Sequence, residues 1–493
     1  MGPQTASSFT EVRINRLDPL DLAIIALYLA AITIFGLRFR KSQRSLRDYF
    51  LADRNIPWWA IALSIVAAET STLTIISIPG LAFDTDLGFL QVVFGYLLAR
   101  VIISVLFIPQ YFRGELYTAY QLIERRFGRT LYSLTAGLFL VTRAAAEGVR
   151  VFAVSIVVAI AIGTGEVASI AIITLLTMIY TFEGGMAAVI WTDVVQMAIY
   201  VGGTLVGFFT ILHAVAGGWA TVHAMADAAG KFRVLDFSPV LHKTYTFWAG
   251  VIGGTFLTTA SHGTDQLMVQ RLLAARSERQ SKAALLASGG AVLFQFTLFL
   301  VVGVMLFVFY GGAHPAGSSD RIFPTFIVQH MPHGISGLLI AAILAAAMSN
   351  LSAALNSLSS TSIVDFYLRR NPGTNEARRL AVSRVATIVW ALVLFGLALL
   401  SRRGGRVVEV GLSIASVAYG ALLGVFLLGV LTRRASQRGS IVGMACGLAA
   451  EIYVWTATRV PWTWYVVIGT AVTFLVGYTA SVAEGENAMN SRG

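Results

Sequence analysis

Apolar runs of about 20 residues recur from Leu20 to the C-terminus, and they limit the fold more than any other feature of this chain. An α-helix of that length crosses the hydrocarbon core of a bilayer. Only 12% of the 493 residues are charged and the mean hydropathy is +0.74, whereas soluble domains carry roughly 25% charged residues. No regular series of short alternating strands occurs, so helices make the spans. We therefore predict an all-α polytopic membrane protein.

Thirteen transmembrane helices are predicted from these runs. They lie near residues 18–38, 57–80, 87–111, 130–162, 166–181, 186–212, 246–270, 283–311, 335–367, 380–400, 407–430, 439–458 and 463–482. If the N-terminus faces outside, most Lys and Arg residues fall in internal loops, which is the positive-inside bias. The net charge of +11 is then a signal of topology, and we expect no nucleic-acid partner. In this orientation segment 1–17 is external and the tail 483–493 is cytoplasmic.

This sequence lacks the signatures of several classes of protein. The polar first 17 residues, with no small-residue cleavage site after the first span, predict no cleavable signal peptide. A single cysteine, Cys446, excludes an intrachain disulfide and a multi-cysteine metal site. No Walker-type phosphate loop is present, so the sequence does not indicate ATP as an energy source. The longest polar segments, 213–245 and 312–334, are predicted to be loops.

The span Ser64–Gly80 carries the first functional signal. It contains Glu69, then hydroxyl residues up to Thr74, then Pro79. An acidic side chain at membrane depth usually faces a cavity or an ion, and hydroxyl side chains compete for backbone groups and weaken a helix. We predict a discontinuous helix whose freed carbonyl groups point into a site. The alternative is a hydroxyl-rich packing face that ends at the proline.

Charged residues also lie in two other spans. Asp193 is about two turns into the span that begins near residue 186, and the alternative to a functional role is a carboxylate at the membrane interface. Arg143, Glu147 and Arg150 are spaced i, i+4 and i+7, so they share one helix face. The triplet leaves one surplus positive charge. This surplus indicates either an ion-pair network between helices or a docking point for an anionic solute.

A stripe of small polar residues runs along the predicted span 335–367. Ser349, Ser352 and the amide and hydroxyl residues after them recur every three or four positions. One interpretation is close packing, because small residues in a stripe let transmembrane helices approach each other. The other is that Ser349 and the adjacent Asn350 supply oxygen ligands to a hard monovalent cation, together with carbonyl groups of the broken helix.

Six stretches together resemble the sodium/solute symporter family, whose members carry sugars, proline, iodide, pantothenate, monocarboxylates and sialic acid. They are DYFLADRNIPWW (48–59), AAETSTLTIISIPG (67–80), FRGELYTAYQLIERRFG (112–128), GGMAAVIWTDVVQ (184–196), GTDQLMVQRLLAARS (263–277) and AAAMSNLSAALNSLSSTSIVDFY (345–367). They cover most of the first nine predicted helices in the expected order. The last helices contribute only hydrophobicity.

This resemblance implies a leucine-transporter-type fold with inverted five-helix repeats in a single transmembrane domain, 18–482. The parts are a leading helix at 18–38, repeat one at 57–212, repeat two at 246–430 and trailing helices at 439–482. The first helix of each repeat would be interrupted near the midplane. In the second of these, Gly253, Gly254, Gly263 and the nearby hydroxyl residues fit an interruption, because they disfavour a continuous helix.

The resemblance also implies a sodium site between the first broken helix and the span 335–367. Its ligands would be the carbonyl groups of Ala67, Thr70 and Ala346 and the side chains of Ser349 and Asn350. The family usually has Ser or Thr at the last position, so Asn350 is a departure that bears on strict sodium coupling. Some members hold a second sodium ion, which here would involve Asp193 and Ser352, although Ala353 lacks the hydroxyl expected beside them.

Substrate contacts are implied at a further set of positions. They are Glu69, Thr74, Tyr96, Arg143, Asp265 and Gln266. Glu69 matches a position that is acidic in some proline-type carriers, so it is also interpreted as an aid to cation binding. Arg143, with Arg100 also inside a span, favours a small anion such as a carboxylate.

The expected function is secondary active symport, in which inward sodium flux drives uptake of a small organic solute by alternating access. Sodium is the coupling ion and the only expected metal, and we expect no catalytic residue and no other cofactor. His262 near Asp265 resembles a catalytic dyad only superficially. The alternatives are a proton-coupled or uncoupled carrier of the same fold and a non-transporting solute sensor. The expected location is the plasma membrane, in contact with lipid, as a monomer or weak homo-oligomer.

Overall fold

The computed structural model describes residues 17–37, 52–113, 119–180, 186–315, 318–367, 370–371, 373, 376–402 and 407–490. Within these ranges the regular secondary structure is helical, apart from one isolated bridge between Ile56 and Ala275, and turns and irregular segments connect the helices. The helices are α1 (Pro19–Leu37), α2 (Trp58–Glu69), α3 (Thr72–Asp84), α4 (Leu90–Leu106), α5 (Ile108–Tyr111), α6 (Tyr120–Phe127), α7 (Arg129–Ile162), α8 (Glu166–Tyr180), α9 (Met186–Ala214), α10 (Gly218–Ala228), α11 (Phe247–Gly263), α12 (Gln266–Leu273), α13 (Glu278–Phe309), α14 (Ile322–His330), α15 (Ile335–Thr361), α16 (Glu376–Ser401), α17 (Val407–Leu431), α18 (Gln437–Ala457) and α19 (Tyr465–Asn490). The prediction of an all-α chain is confirmed.

Membrane-spanning helices account for much of this architecture. In the described ranges six helices are long and apolar enough to cross a bilayer, and the bent pair α2–α3 makes a seventh. Shorter apolar helices occupy further predicted spans, such as Leu90–Leu106 and Val385–Ser401. The count of thirteen spans stays a prediction. The last helix continues to Asn490, beyond the predicted end of its span at 482.

The first broken helix lies where the polar residues of the span Ser64–Gly80 predicted it. α2 ends at Glu69, α3 begins at Thr72, and the two axes differ by 63°. Thr70, between them, has φ −86° and ψ 79°, which is outside the helical region. Pro79 lies inside α3, and the helix continues past it to Asp84. The break therefore follows the acidic and hydroxyl residues and not the proline.

A second broken helix, α11–α12, is interrupted at Thr264 and Asp265. Asp265 caps α12 because its carboxylate accepts a hydrogen bond from the backbone N–H of Leu267 at 2.9 Å. The expectation that Gly253 and Gly254 help to interrupt this helix is wrong, since both lie in the continuous part of α11. A Cβ at Gly253 would come within 2.1 Å of the Thr463 carbonyl oxygen. These glycines instead permit close approach of neighbouring backbones.

Long helices enclose the two breaks. α13 packs along α2 and α3, α4 packs along α11, and α7 contacts α15, α16 and α17. Apolar side chains such as Ile75, Ile103 and Phe299 are fully buried at these crossings. The polar side chains at the breaks are thus left facing a common central space.

Candidate functional site

A cavity of about 160 Å³ lies at the centre of the helical domain, where both helix breaks contribute to its wall. Glu69 and Thr74 line it from the first break, and Asp265 lines it from the second. α4 contributes Tyr96 and α7 contributes Arg143. Five of the six predicted substrate positions are therefore brought together around one space.

Gln266, the sixth position, is placed elsewhere. Its side-chain oxygen accepts a hydrogen bond from the backbone N–H of Ala119 at 2.7 Å. This contact ties the start of α12 to the segment that leads into α6, and Gln266 does not line the cavity. Its role as a solute contact stays a prediction, and the contact observed is one that positions the second break.

Glu69 forms an ion pair with Arg100 of α4 at the edge of the cavity. Each of the three guanidinium nitrogens of Arg100 has a partner, because Nη2 contacts Glu69, Nε donates to Ser288 Oγ at 3.1 Å and Nη1 donates to the Tyr96 carbonyl oxygen at 3.0 Å. His262 Nε2 lies 3.4 Å from the same carboxylate oxygen of Glu69. Arg100, which favoured an anion in the sequence, is thus neutralised by Glu69.

The Arg143 triplet on α7 is completed by an acid from the second break. Arg143 Nη2 lies 2.9 Å from Glu147 Oε1, and Arg150 Nη1 contacts the same oxygen at 2.5 Å. Asp265 Oδ2 lies 3.8 Å from Arg143 Nη1 and accepts a 2.9 Å hydrogen bond from the Tyr419 hydroxyl. The surplus positive charge of the triplet is therefore balanced by Asp265, which is distant in the sequence.

The fixed charges that line the cavity, with their direct partners, cancel formally. The basic groups are Arg100, Arg143 and Arg150, and the acidic groups are Glu69, Glu147 and Asp265. Counted over these six groups, the described wall carries no net charge. A cation bound in this space would add one positive charge that nothing in the wall cancels.

Backbone carbonyl groups at the first break lose the donors that a continuous helix would give them. The backbone N–H of Ser71, the regular partner of the Ala67 carbonyl, donates to the Glu69 carbonyl at 3.1 Å. The backbone N–H of Thr74, the regular partner of the Thr70 carbonyl, donates to the Ser71 carbonyl at 2.9 Å. The two carbonyl groups expected to bind sodium are thus among those that lose their regular helical donor at the break.

The other expected sodium ligands come from α15. Asn350 is half-buried and lines the central cavity. The side chains of Ala346, Ser349 and Ser352 lie outside the described part of the structure, although the backbone of α15 is continuous through them.

Asp193, the acid expected at a second sodium site, has a basic partner. Its Oδ2 lies 3.0 Å from Arg271 Nη2 and accepts a 2.6 Å hydrogen bond from Ser64 Oγ. Arg271 Nε also donates to Ser64 Oγ at 2.9 Å, and Arg271 Nη1 donates to the Leu267 carbonyl. Asp193 is buried and does not line the central cavity. This network joins α9, α2 and α12.

Aromatic residues that the sequence reasoning missed also line the cavity. Phe89 stacks on Phe296 with ring centroids 5.5 Å apart, and the two rings are nearly parallel. The ring of Tyr120 packs against those of Phe139 and Phe426, with centroid separations of 6.1 Å and 6.4 Å. In an apolar span such residues have no sequence signal that separates them from core residues. Tyr419 was missed for the same reason, because it lies in a helix that showed only hydrophobicity.

Comparison with known proteins adds independent information. The family model described as the sodium:solute symporter family matches residues 49–447. The sodium/sialic acid symporter SiaT of Proteus mirabilis is 30% identical over 471 residues, covering 93% of this chain and 94% of the relative. The human sodium/iodide cotransporter is 29% identical over 455 residues, covering 88% of this chain and 69% of that protein. A substrate-bound, outward-open structure of a Na⁺-coupled sialic acid symporter superimposes with a TM-score of 0.83 at 27% identity, covering 94% of this chain and 98% of the other.

Proposed function

This chain belongs to the sodium:solute symporter family and is a multi-pass, sodium-coupled solute symporter, and we propose that its solute is a small organic anion held through a carboxylate. Its relatives are transporters and not enzymes. The coupling ion is sodium.

The observation that carries the choice of an anion is the state of Arg143. Its Nε is buried and has no hydrogen-bond partner among the described residues. The contact of its Nη1 with Asp265 is 3.8 Å, longer than a direct hydrogen bond. Arginine binds carboxylates through two parallel N–H groups. Asp265 keeps a donor of its own in Tyr419, so a solute carboxylate can take the open edge of Arg143.

Charge balance supports the same solute class. The wall groups cancel formally, so one bound sodium ion leaves the cavity with a single positive charge. Uncompensated charge away from water is costly, and one carboxylate on the solute removes it. Sodium and a monoanion therefore raise each other's affinity by the same factor. The named relatives that carry sialic acid, itself a carboxylate, make that compound the first to test.

For the sodium site we propose the carbonyl groups of Ala67, Thr70 and Ala346 with the side chains of Ser349 and Asn350. The two carbonyl groups released at the break support this set. A second ion at Asp193 and Ser352 would have to displace Arg271 from Asp193. We therefore favour coupling through the first site alone.

The membrane orientation and the division into repeats remain proposals. We place the N-terminus outside and the C-terminus in the cytoplasm of a plasma-membrane protein, with repeats at 57–212 and 246–430. The distribution of basic residues supports this orientation, and the two helix breaks, one near the start of each repeat, support this division.

The test is uptake by purified protein in proteoliposomes with an imposed sodium gradient. The panel contains N-acetylneuraminate, lactate and pyruvate as anions, with glucose and proline as neutral comparisons. We expect sodium-driven uptake of at least one carboxylate. Transport driven by a proton gradient but not by sodium would contradict sodium coupling at this site, and uptake of only a neutral solute would contradict the anion proposal.

The Arg143 anchor is tested with Arg143→Lys, which keeps the charge but removes the second parallel N–H group. We expect solute affinity to fall about tenfold, equivalent to about 1.4 kcal/mol, with little change in sodium affinity. Arg129→Gln is the matched control, because the Arg129 side chain is 87% exposed at the start of the same helix. Unchanged uptake in Arg143→Lys would mean that Arg143 only holds α7 in place.

A further inference from the structure

Threonine ends three of the four helical segments that make up the two broken helices. Thr70 follows α2, Thr85 follows α3 and Thr264 follows α11. The backbone N–H of each donates to the carbonyl group four residues earlier, at 2.8 Å for Thr70 and Thr85 and at 2.9 Å for Thr264. The three residues therefore occupy the same place at a helix end and make the same backbone contact.

The hydroxyl groups of these threonines have different partners. At Thr85 and at Thr264 the hydroxyl donates, at 2.7 Å, to the same carbonyl of its own helix that the backbone N–H uses. This is the ordinary local bond of a threonine in a helix. The Thr70 hydroxyl instead donates to Oε1 of Gln295 on α13 at 3.0 Å. At the first break a contact with another helix has thus replaced the local one.

Gln295 is an unusual residue for its surroundings. It lies in the apolar middle of α13 and is 0% exposed, as is Thr70. Its Nε2 has no hydrogen-bond partner among the described residues, and the buried hydroxyl of Tyr200 on α9 lies beside the pair. A buried amide that uses only part of its hydrogen-bonding capacity costs free energy. Packing alone therefore does not explain a glutamine at this position.

The two bonds of Thr70 attach it to two different helices. Its N–H is bonded to Val66 of α2, and its hydroxyl is bonded to Gln295 of α13. Thr70 has φ −86° and ψ 79°, and the N–H of Thr74 that would meet its carbonyl in a continuous helix donates to Ser71 instead. The Thr70 carbonyl is thus without its helical donor and is held in one direction relative to α13.

We propose that Gln295 is a positioning residue of the sodium site, because its bond to the Thr70 hydroxyl holds the Thr70 carbonyl in the direction from which it binds the ion. Gln295 does not line the central cavity, so it acts through Thr70 and not by contact with the solute. A ligand group that is already oriented binds more tightly, since less ordering remains to be done on binding. This role rests on the sodium site proposed at the first break.

A glutamine that only stabilised the packing of α13 on α2 would behave differently. Its loss would lower the stability of the protein with and without sodium alike. In the positioning role, an apolar side chain of equal length leaves the sodium-free protein at least as stable as wild type, because the Thr70 hydroxyl can return to Val66 as that of Thr85 does to Leu81. Only the stabilisation by sodium then falls.

The experiment measures thermal unfolding of purified protein in detergent while sodium chloride replaces choline chloride at constant ionic strength. The rise in melting temperature with sodium reports the sodium affinity. We expect Gln295→Met to unfold no earlier than wild type in choline and to bind sodium about tenfold more weakly. Unchanged sodium affinity, or a loss of stability in choline that accounts for the whole effect, would overturn the proposal.

Thr85→Val is the matched control, because the Thr85 hydroxyl bonds within its own helix at the end of the other half of the same broken helix. Its sodium affinity should stay within about twofold of wild type. A tenfold loss in this variant as well would show that any cap hydroxyl affects the site, and the proposal for Gln295 would fall.

Thr70→Val, which keeps the shape of the side chain and removes the hydroxyl, tests the same bond from its other end. We expect sodium binding about tenfold weaker than wild type, and no further loss in Thr70→Val/Gln295→Met, because all three variants break one bond. Thr70→Ser keeps the hydroxyl and should bind sodium more tightly than Thr70→Val. Losses that add in the double variant would overturn the proposal.

Ser349→Ala separates this role from the sodium site on which it rests. Ser349 is a proposed ligand, so its replacement should remove most of the rise in melting temperature with sodium. If Ser349→Ala keeps the full rise, the proposed sodium site fails and the role of Gln295 fails with it. If Ser349→Ala loses the rise while Gln295→Met keeps it, the site stands and only the role of Gln295 is overturned.

Discussion

Two buried ion pairs hold the first broken helix against its neighbours. Glu69 at the end of α2 pairs with Arg100 of α4. Asp193 of α9 pairs with Arg271 of α12, and Ser64 of α2 donates to the same carboxylate. Removal of one partner from a buried pair costs about 3–5 kcal/mol, because the other charge is left uncompensated. These pairs therefore set the geometry of the break at the level of single residues.

Arg271→Gln is predicted to lower the free energy of unfolding by about 3 kcal/mol, because it leaves Asp193 buried without a cation. The measurement is thermal unfolding in detergent. In the double variant Asp193→Asn/Arg271→Gln most of the loss should be recovered, since both charges are gone. Strictly additive losses in the double variant would show that the two residues act independently. If sodium stabilised the wild type and Asp193→Asn abolished that effect, a second sodium site at Asp193 would be supported again.

Glu451 of α18 is a buried acid of a different kind. It is 0% exposed, and neither carboxyl oxygen has a hydrogen-bond partner among the described residues. Its side chain fills the space beside Gly420 of α17 and Gly469 of α19. A Cβ added to either glycine would come within 2.0 Å of Glu451 Oε1. A buried charge without a partner is costly, so this side chain is expected to act by filling the space between the three helices and not as an ion-pair partner.

Replacement of Glu451 by Gln is predicted to preserve folding and uptake, because the amide has the size and shape of the native side chain and adds no charge. Glu451→Ala should lower the free energy of unfolding by about 2 kcal/mol, since it leaves a cavity between three helices. Thermal unfolding and sodium-driven uptake measure both effects. Equal loss of uptake in Glu451→Gln and Glu451→Ala would show that the acid itself is required.

At the scale of the helices, close packing positions α11, which carries the second break. A Cβ at Gly254 would come within 2.4 Å of the Val92 carbonyl oxygen on α4. Gly253 meets the backbone at Thr463 on its other side. Because both neighbours are backbone, neither can move aside as a side chain would. The glycines thus allow α11 to lie against α4 and the segment before α19.

Gly253→Ala is therefore predicted to destabilise the protein by about 1–3 kcal/mol through overpacking and to shift α11. Gly290→Ala is the matched control in α13, where nothing lies within 4 Å of the added Cβ. There the change should be neutral or slightly stabilising, because alanine favours a helix over glycine. The measurement is thermal unfolding, and equal stability of the two variants would contradict the packing argument.

At the scale of the whole molecule, a segment between α10 and α11 connects the two proposed repeats. Gln91 at the start of α4 accepts a hydrogen bond from the backbone N–H of Asp236 at 2.9 Å. Arg233 pairs with Asp86 at 2.7 Å, and Lys243 pairs with Asp236. Hydrogen bonds from Lys243 and from Ser238 hold the pKa of Asp236 below its ordinary value. These contacts tie the segment to the end of α3 and the start of α4.

This arrangement predicts that acidification to pH 5.5 leaves the segment in place. A lowered pKa in the folded state gives stability that is present above the unfolded value of about 3.9 and is lost only as pH falls through the folded value. Asp236→Asn should therefore lower stability by the same amount, about 0.5–1 kcal/mol for a partly exposed pair, at pH 7.5 and pH 5.5. Asp227→Asn, at an exposed position of α10, is the control. If Asp236→Asn destabilised the protein at pH 7.5 but not at pH 5.5, the lowered pKa of Asp236 would be contradicted.

Properties that depend on neighbours in the sequence could be predicted from it. The all-α membrane class follows from the length of the apolar runs, and the position of the first break follows from Glu69 and the hydroxyl residues after it. That Arg143 has acidic partners was likewise predictable, because a charge inside an apolar span needs a partner or a ligand.

Only the tertiary structure decided the partners. Asp265 pairs with Arg143, and Arg271 pairs with Asp193, although the members of each pair are far apart in the chain. Arg150 lines both the central cavity and a smaller one. Gly253 resembled a helix breaker and is a packing contact. The physical reason is the same in each case: burial makes a charge or a close backbone contact depend on what lies opposite, and helix packing alone determines that.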